Sequence, residues 1–395
     1  MKKLLFTLAA VCGITLTAQV PDKLLLKIFD AAYRSNPQQN IMLSPWGIQE
    51  CYGMVAAGAG KVSGQELVNV LGLDPQTALE TAKARTSLQK SQVQFNSFNA
   101  VLFDRKYTLK QEFSKKAANL YGSKIYSIDL ARKAECADAL NEIVKRESRN
   151  MFDKVFTPQN FEGNPVMVLL NVLYFKSRWM SPFKEYATAK ERFMIPKNSG
   201  FEGIHHSEVD MMNDRKIVPY YNDGTIHAVT LDYSDERFKL MVLTTVNAAV
   251  PLEKVTQCLA KNGLMHFIRR SSDENKTDIK LPKFKLHSSV DLKKLLRGQG
   301  MPITFDPLQG DLTGMVENNS LYIAQSRQLV RLALDERGTE VAAVTYAVPK
   351  AACMPPQKEK INQFYADHPF VLVLFDSKTN AILLTAAVIN PNAQK

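Results

Sequence analysis

Apolar side chains at Leu24, Leu25, Ile28, Phe29 and Tyr33 recur with the period of a helix and predict one over residues 21–36. Residues 40–44 form a short apolar strand, and Pro45 in a first-turn position opens a second helix running to about Gly58. Residues 63–72, 76–91, 110–122 and 132–150 also carry helical patterns, the last two rich in Lys, Glu and Ala. Between them, Val93, Phe95, Phe98 and Leu102 lie on or near one face of a strand over 92–104. Residues 166–175 are almost continuously apolar, with β-branched and aromatic content that predicts a strand buried on both faces.

The second half changes character. Strands dominate from about 190 to 250, separated by turn clusters such as Asn222-Asp223-Gly224. Helices are expected at 251–262 and 289–298. Residues 277–287 alternate as one strand with Ile279, Leu281 and Phe284 as its apolar positions, and Pro282 places it near an edge or a bulge. Further strands are expected at 326–334, 369–375 and 381–389. Helices early and strands late, without βαβ alternation, point to an α+β fold. No Gly/Ser/Pro linker divides the chain and no internal repeat is evident.

The amino terminus stands apart. Lys2 and Lys3 precede an apolar run from Leu4 to Leu16, and Leu16-Thr17-Ala18 offers a cleavage site before Gln19. This reads as a signal peptide over 1–18, because the apolar run is too short to span a bilayer. An uncleaved anchor and lipidation at Cys12 are the alternatives, the latter disfavoured by Val11 before it. Export implies a periplasmic, cell-surface or extracellular protein. Cys51, Cys136, Cys258 and Cys353 remain after cleavage, at wide and irregular spacings without a CxxC, so no disulfide framework is expected. Cys51 and Cys258 fall in apolar helical patterns and are expected in the core.

Composition changes this picture little. The 395 residues are 45% hydrophobic and 23% charged, which excludes disordered and fibrous classes. Lys and Arg exceed Asp and Glu by 50 to 39. The excess is scattered: Lys83, Arg85 and Lys90 along one helix, the Arg269-Arg270 pair, and Lys283 with Lys285. Solvated surface charge is the expected reading, with weak polyanion binding as the alternative and no nucleic-acid partner. Gly58-Ala59-Gly60-Lys61-Val62-Ser63 lacks the spacing of a phosphate loop. The six histidines form no HxxxH pair, and no GxSxG elbow occurs. Neither a metal, a cofactor nor an enzyme activity is expected.

The informative stretch is Asp335-Glu336-Arg337-Gly338-Thr339-Glu340-Val341-Ala342-Ala343-Val344-Thr345, followed about twenty residues later by Phe364-Tyr365-Ala366-Asp367-His368-Pro369-Phe370. It resembles the hinge and carboxyl-terminal signature of the serpins, a family of serine-protease inhibitors. Asn40-Ile41-Met42-Leu43-Ser44-Pro45, the segment from Asn171 to Trp179, Pro182-Phe183, Val209-Asp210-Met211-Met212 and Leu281-Pro282-Lys283-Phe284 look like other family segments in the family's order. The resemblance covers about residues 20–392 and identifies the chain as an exported bacterial serpin. It implies a single domain over 19–395 with three β-sheets, eight or nine helices and an exposed reactive-centre loop at about 337–362.

The resemblance also implies a mechanism. A protease attacks the loop as substrate, and the freed loop inserts into the large sheet, trapping the acyl-enzyme. The hinge would comprise Glu336, Gly338, Thr339, Val341, Ala342 and Ala343. Physically, Gly338 supplies a pivot, Thr339, Val341, Ala343 and Thr345 share one face, and the first proline, Pro349, comes late. Counting sixteen residues from Glu336, as the family does, puts the scissile bond at Ala352–Cys353, which suits an elastase-like protease. Lys350, suited to a trypsin-like protease, and Met354 are the rivals, and cysteine proteases are a further class of target. Ser44, Asn171, Trp179 and Gln328 would form the shutter and breach beneath and beside the sheet. Gln328 stands where many members have His, Gly47 where many have Ser, and Val341 and Val344 are bulkier than usual. The alternative reading is therefore a non-inhibitory serpin, a binding or storage protein. Either would act as a monomer.

Overall fold

The computed structural model describes residues 22–89, 93–148, 150, 152–162, 165–196, 204–317, 321–339 and 360–393. The expected signal peptide and the loop residues Val341, Ala342, Ala343, Lys350, Ala352, Cys353 and Met354 lie outside them.

Among the described residues the chain forms nine α-helices and sixteen strands. The first half runs α1 (Asp22–Ser35), β1 (Ile41–Leu43), α2 (Pro45–Ala56), α3 (Lys61–Leu71), α4 (Pro75–Gln89), β2 (Gln94–Asp104), α5 (Gln111–Asn119), β3 (Lys124–Ile128), α6 (Lys133–Glu147) and β4 (Met167–Arg178). Then follow β5 (Ala189–Pro196), β6 (Ile204–Ile217), β7 (Tyr220–Asn222), β8 (Ile226–Asp232), β9 (Phe238–Thr245), α7 (Glu253–Asn262) and α8 (Leu264–Ile268). The chain closes with β10 (Lys276–Pro282), β11 (Phe284–Asp291), α9 (Leu292–Gly298), β12 (Gln325–Asp335), β13 (Gly338–Thr339), β14 (Asn362–Tyr365), β15 (Phe370–Asp376) and β16 (Ile382–Val388).

Three sheets result. Sheet A has the order β11-β12-β13-β4-β2-β3, sheet B β1-β16-β15-β9-β8-β7, and sheet C β14-β10-β6-β5. β4 is the keystone, because its side chains enter all three apolar clusters. Val168, Leu170 and Val172 pack with Leu140 and Val144 of α6 on one face. Met167 and Leu169 join the α1–α2 core, and Leu173 and Phe175 meet Tyr233 and Phe238 of the sheet B core. The continuous apolar run predicted this burial on both faces.

The segment 277–287 is two strands rather than one. β10, between β14 and β6 in sheet C, ends at Pro282, while β11 starts at Phe284 in sheet A. Pro282 thus marks the strand end, where β14 has already stopped at the Lys280↔Tyr365 pair and only β6 lies alongside, a local edge as the proline requires. The physical signal is a change of parity: Ile279 and Leu281 are buried at odd positions, Phe284 and Leu286 at even ones. Residues 289–291 belong to β11, and the following helix starts only at Leu292, where the Asp291 carboxylate caps it by accepting from Lys294 N at 2.9 Å. β3 and α8 were not expected. Cys51 and Cys136 are buried free thiols, and Cys258 is half-buried rather than a core residue.

Candidate functional site

β4 and β12 pair in parallel only from Gln325↔Val168 to Val330↔Leu173. Beyond that point the two strands diverge, and the chain fills the gap with its own next residues. After Asp335 it reverses through Glu336 and Arg337, and Gly338 and Thr339 enter as β13, antiparallel to both neighbours. Gly338 faces Asp335 and Arg178, and Thr339 faces Leu334 and Ser177. Gly338 has φ +151°, and a Cβ there would lie 2.1 Å from Ser177 O, so only glycine fits.

The turn is held on every side. Asp335 Oδ1 accepts from Arg337 N at 2.9 Å and Gly338 N at 3.1 Å. Trp179 N donates to Arg337 O and Phe183 N to Glu336 O, both at 2.8 Å, while Trp179 Nε1 donates to Asp335 O at 3.0 Å. The Trp179 ring stacks on Tyr233 at 4.5 Å, and the Tyr233 and Thr339 hydroxyls are 2.6 Å apart. Glu336 accepts from Thr188 Oγ1 at 2.7 Å and pairs with Lys283 Nζ at 3.0 Å. Partial burial pushes its carboxyl up, but the Thr188 hydroxyl, its own backbone N–H and Lys283 outweigh this and hold it below the ordinary glutamate range. Arg337 Nε donates to Glu185 at 2.8 Å. Lys283, read as surface charge, is therefore part of the hinge anchor.

The shutter lies lower on the same sheet face. Gln328 and Asn171 are directly opposed. Gln328 Nε2 donates to Asn171 Oδ1 at 2.9 Å and to Ser44 O at 3.0 Å, and its Oε1 accepts from Ser44 N at 2.7 Å. Ser44 caps α2, its hydroxyl accepting from Gly47 N at 2.8 Å and donating to Leu383 O at 2.7 Å. A Cβ on Gly47 would lie 2.3 Å from Asn171 Oδ1. Glycine here is thus the partner of this Asn171 position: the carboxamide uses the space a serine would take.

Sequence reasoning missed the second half of this network. Asn171 Nδ2 donates to Asn99 Oδ1 at 2.8 Å, Asn99 Nδ2 donates to Glu50 Oε2 at 3.1 Å, and the Ser97 hydroxyl donates to the same oxygen. Arg85 Nε lies 3.2 Å from Glu50 Oε1, outside hydrogen-bond geometry, so that oxygen has an ion pair but no donor. Burial dominates and raises the Glu50 carboxyl to about 6, against the opposing pulls of Arg85, Ser97, Asn99 and Trp46. Arg85 was read as one of three solvated basic residues. It points inward instead, occupying the place a Gly122 side chain would need: a Cβ there would fall 1.6 Å from its Nη1. The available signal was Glu50 itself, a lone charge in the apolar sequence of α2.

The geometry therefore joins Glu336, Gly338, Thr339 and Trp179 at one end of the β4–β12 gap and Ser44, Asn171 and Gln328 beneath its closed part. A family profile described as Serpin (serine protease inhibitor) matches residues 20–391, and the chain belongs to this family. Its members are generally serine protease inhibitors, not catalysts. Human Serpin B3 is 26% identical over 398 residues, covering 95% of this chain and 99% of that protein. The pig leukocyte elastase inhibitor is 25% identical over 377 residues, covering 93% and 97%. Among solved structures, native protease nexin-1 with heparin superposes with a TM-score of 0.82 at 20% identity, covering 94% of this chain and 98% of that one. The nine helices and three sheets are those of the serpin fold.

Proposed function

We propose that this chain is an exported inhibitor of serine proteases that acts by loop cleavage and insertion, as a single domain over 19–395 after loss of residues 1–18. The observation that carries the reading is β13. The hinge residues Gly338 and Thr339 already pair between β4 and β12, in a register that can continue. Extended along the chain, it sets Val341 opposite Phe175 and Leu332, Ala343 opposite Leu173 and Val330, and Thr345 opposite Asn171 and Gln328. The last two pairs already oppose one another in the closed part of the sheet, so the two strands agree on one register. Val341 would land on two residues of the sheet B core, and Val344, on the other face, on Val172 and Leu329 beneath α6. The valines then meet apolar partners. Each new backbone hydrogen bond contributes roughly 0.5–1.5 kcal/mol net, so a strand's worth drives the insertion.

In the covalent step the serine of the protease attacks the Ala352 carbonyl. The Ala352–Cys353 bond breaks, Ala352 is held as an ester on that serine, and Cys353 leaves as a new amino terminus. Ala352 favours an elastase-like target, and a relative named leukocyte elastase inhibitor supports that choice. Lys350 with a trypsin-like protease is the alternative.

The test is incubation with pancreatic elastase and with trypsin. An SDS-resistant complex with elastase, and release of a carboxyl-terminal peptide beginning at Cys353 by mass spectrometry, are expected. Clean cleavage with no complex and no rise in melting temperature would instead support a non-inhibitory binding protein. Recovery of a mature chain beginning at Gln19 outside the cytoplasm checks export.

A further inference from the structure

If the loop inserts as proposed, Asn171 and Gln328 must part, and whatever holds the Asn171 carboxamide sets how readily the sheet opens. That carboxamide is fixed from both ends, accepting from Gln328 and donating to Asn99. Asn99 is fixed in turn, because its own amide is committed to Glu50 Oε2. The chain of bonds Gln328–Asn171–Asn99 thus ends on a buried carboxylate, 1% exposed, on α2. The groups facing Glu50 can be named element by element. α4 supplies the Arg85 cation. α2 supplies Cys51, whose thiol burial pushes up to about 12, and the Trp46 indole N–H, which lies toward the Glu50 carboxylate but outside hydrogen-bond geometry. β2 supplies only the neutral Ser97 and Asn99, with Asn171 of β4 beyond them.

We propose that Glu50 is an ionisable positioning residue for loop insertion, its carboxylate holding the Asn99–Asn171–Gln328 chain taut and its protonation letting β4 and β12 separate. The inference rests on the insertion reading above. Hydrogen bonds to an ionised acceptor are about twice as strong as neutral ones, so protonation weakens the grip on Ser97 and Asn99. It also removes the pull of Arg85. The effect on the whole fold runs the other way, because a buried carboxyl is better tolerated neutral. Acid should therefore stabilise the molecule through Glu50 while speeding insertion, a combination that a merely structural role does not produce.

The experiment anneals a synthetic acetylated peptide of residues 339–352 into the intact protein and follows the rate on native gels from pH 5 to pH 8. The wild type is expected to anneal about tenfold faster at pH 5 than at pH 8. Glu50→Gln is expected to anneal quickly at both, with Glu340 of the peptide titrating identically in each case. Asn99→Ala, which leaves Glu50, Ser97 and Arg85 in place, serves if Glu50→Gln does not fold; it too should lose the pH dependence. A wild-type rate that is flat with pH, or a pH dependence shared by both variants, overturns the role of Glu50 and leaves the inhibitor reading standing. Failure of the peptide to anneal at every pH, with no melting-temperature rise after loop cleavage, overturns both.

Discussion

The Thr339 hydroxyl lies 2.6 Å from the Tyr233 hydroxyl, and both side chains are fully buried. The pair fixes how far the hinge enters sheet A. Thr339→Arg would place a long cation against Tyr233 and Leu334 in a fully buried position, and burying it there is prohibitive. The expected outcome is expulsion of β13 and loss of protease trapping while cleavage continues, read as a shift from SDS-resistant complex to cleaved product. Thr339→Val is the gentler probe. It strands the Tyr233 hydroxyl and should cost about 1–3 kcal/mol. Hydrogen exchange at Trp179 N–H, which donates to Arg337 O, should then quicken while the rest of sheet A stays protected.

Gly338→Ala tests the pivot independently of side-chain chemistry. At φ +151° and 2.1 Å from Ser177 O, even a methyl group cannot be accommodated. The variant should fold, because β12 and β4 pair without β13 lower down, but its hinge should be released from the sheet. Limited proteolysis after Arg337 by trypsin is the measurement. The wild type, with Arg337 tied to Glu185 and Trp179, should resist, and the variant should be cut.

In the shutter, restoring the serine common in the family at position 47 should be harmful in this chain. The new Cβ would meet the Asn171 carboxamide at 2.3 Å, and overpacking of this kind costs about 1–3 kcal/mol. Gly47→Ser should lower the urea midpoint, and Asn171→Ala combined with it should be less damaging than the sum of the two single changes, since removing the carboxamide removes the clash.

Much of this was legible in the sequence because it is periodic. Helical spacing placed α1 and α2, and the continuous apolar run of β4 announced the strand buried on both faces. β3 was invisible because its side chains are exposed or half-buried and it leans on β2 through backbone pairing. The β10–β11 boundary was readable only as a shift in parity across Pro282 and Lys283. The hinge was found through its motif, as were Ser44, Asn171 and Gln328. Glu50 and Arg85 under the shutter and Tyr233 at the hinge were not, because α2 and α4, and the β8–β9 turn, are carried to those places by tertiary packing that no local spacing records.

Two buried titratable groups should give the fold opposing pH responses. Glu50 is raised to about 6 by burial, from an ordinary 4.5. Its stability contribution is fully present below 4.5 and is lost as pH rises through 6. His227 is lowered to about 4, first by burial and then by the neighbouring His368, from an ordinary 6.5. A depressed histidine stabilises above 6.5, and that contribution is lost as pH falls through 4. Acidification from pH 6.5 to 4.5 therefore gains roughly 1–2 kcal/mol from Glu50 and loses about 2 kcal/mol from His227. Glu50→Gln removes the gain, so its urea midpoint should fall more steeply with acid than that of the wild type. His227→Gln removes the loss and should flatten or reverse the slope. Urea titrations of the three proteins at pH 4.5, 5.5 and 6.5 decide it, because the other carboxylates cancel in the differences. Parallel curves for Glu50→Gln and the wild type would show that Glu50 does not titrate in this window.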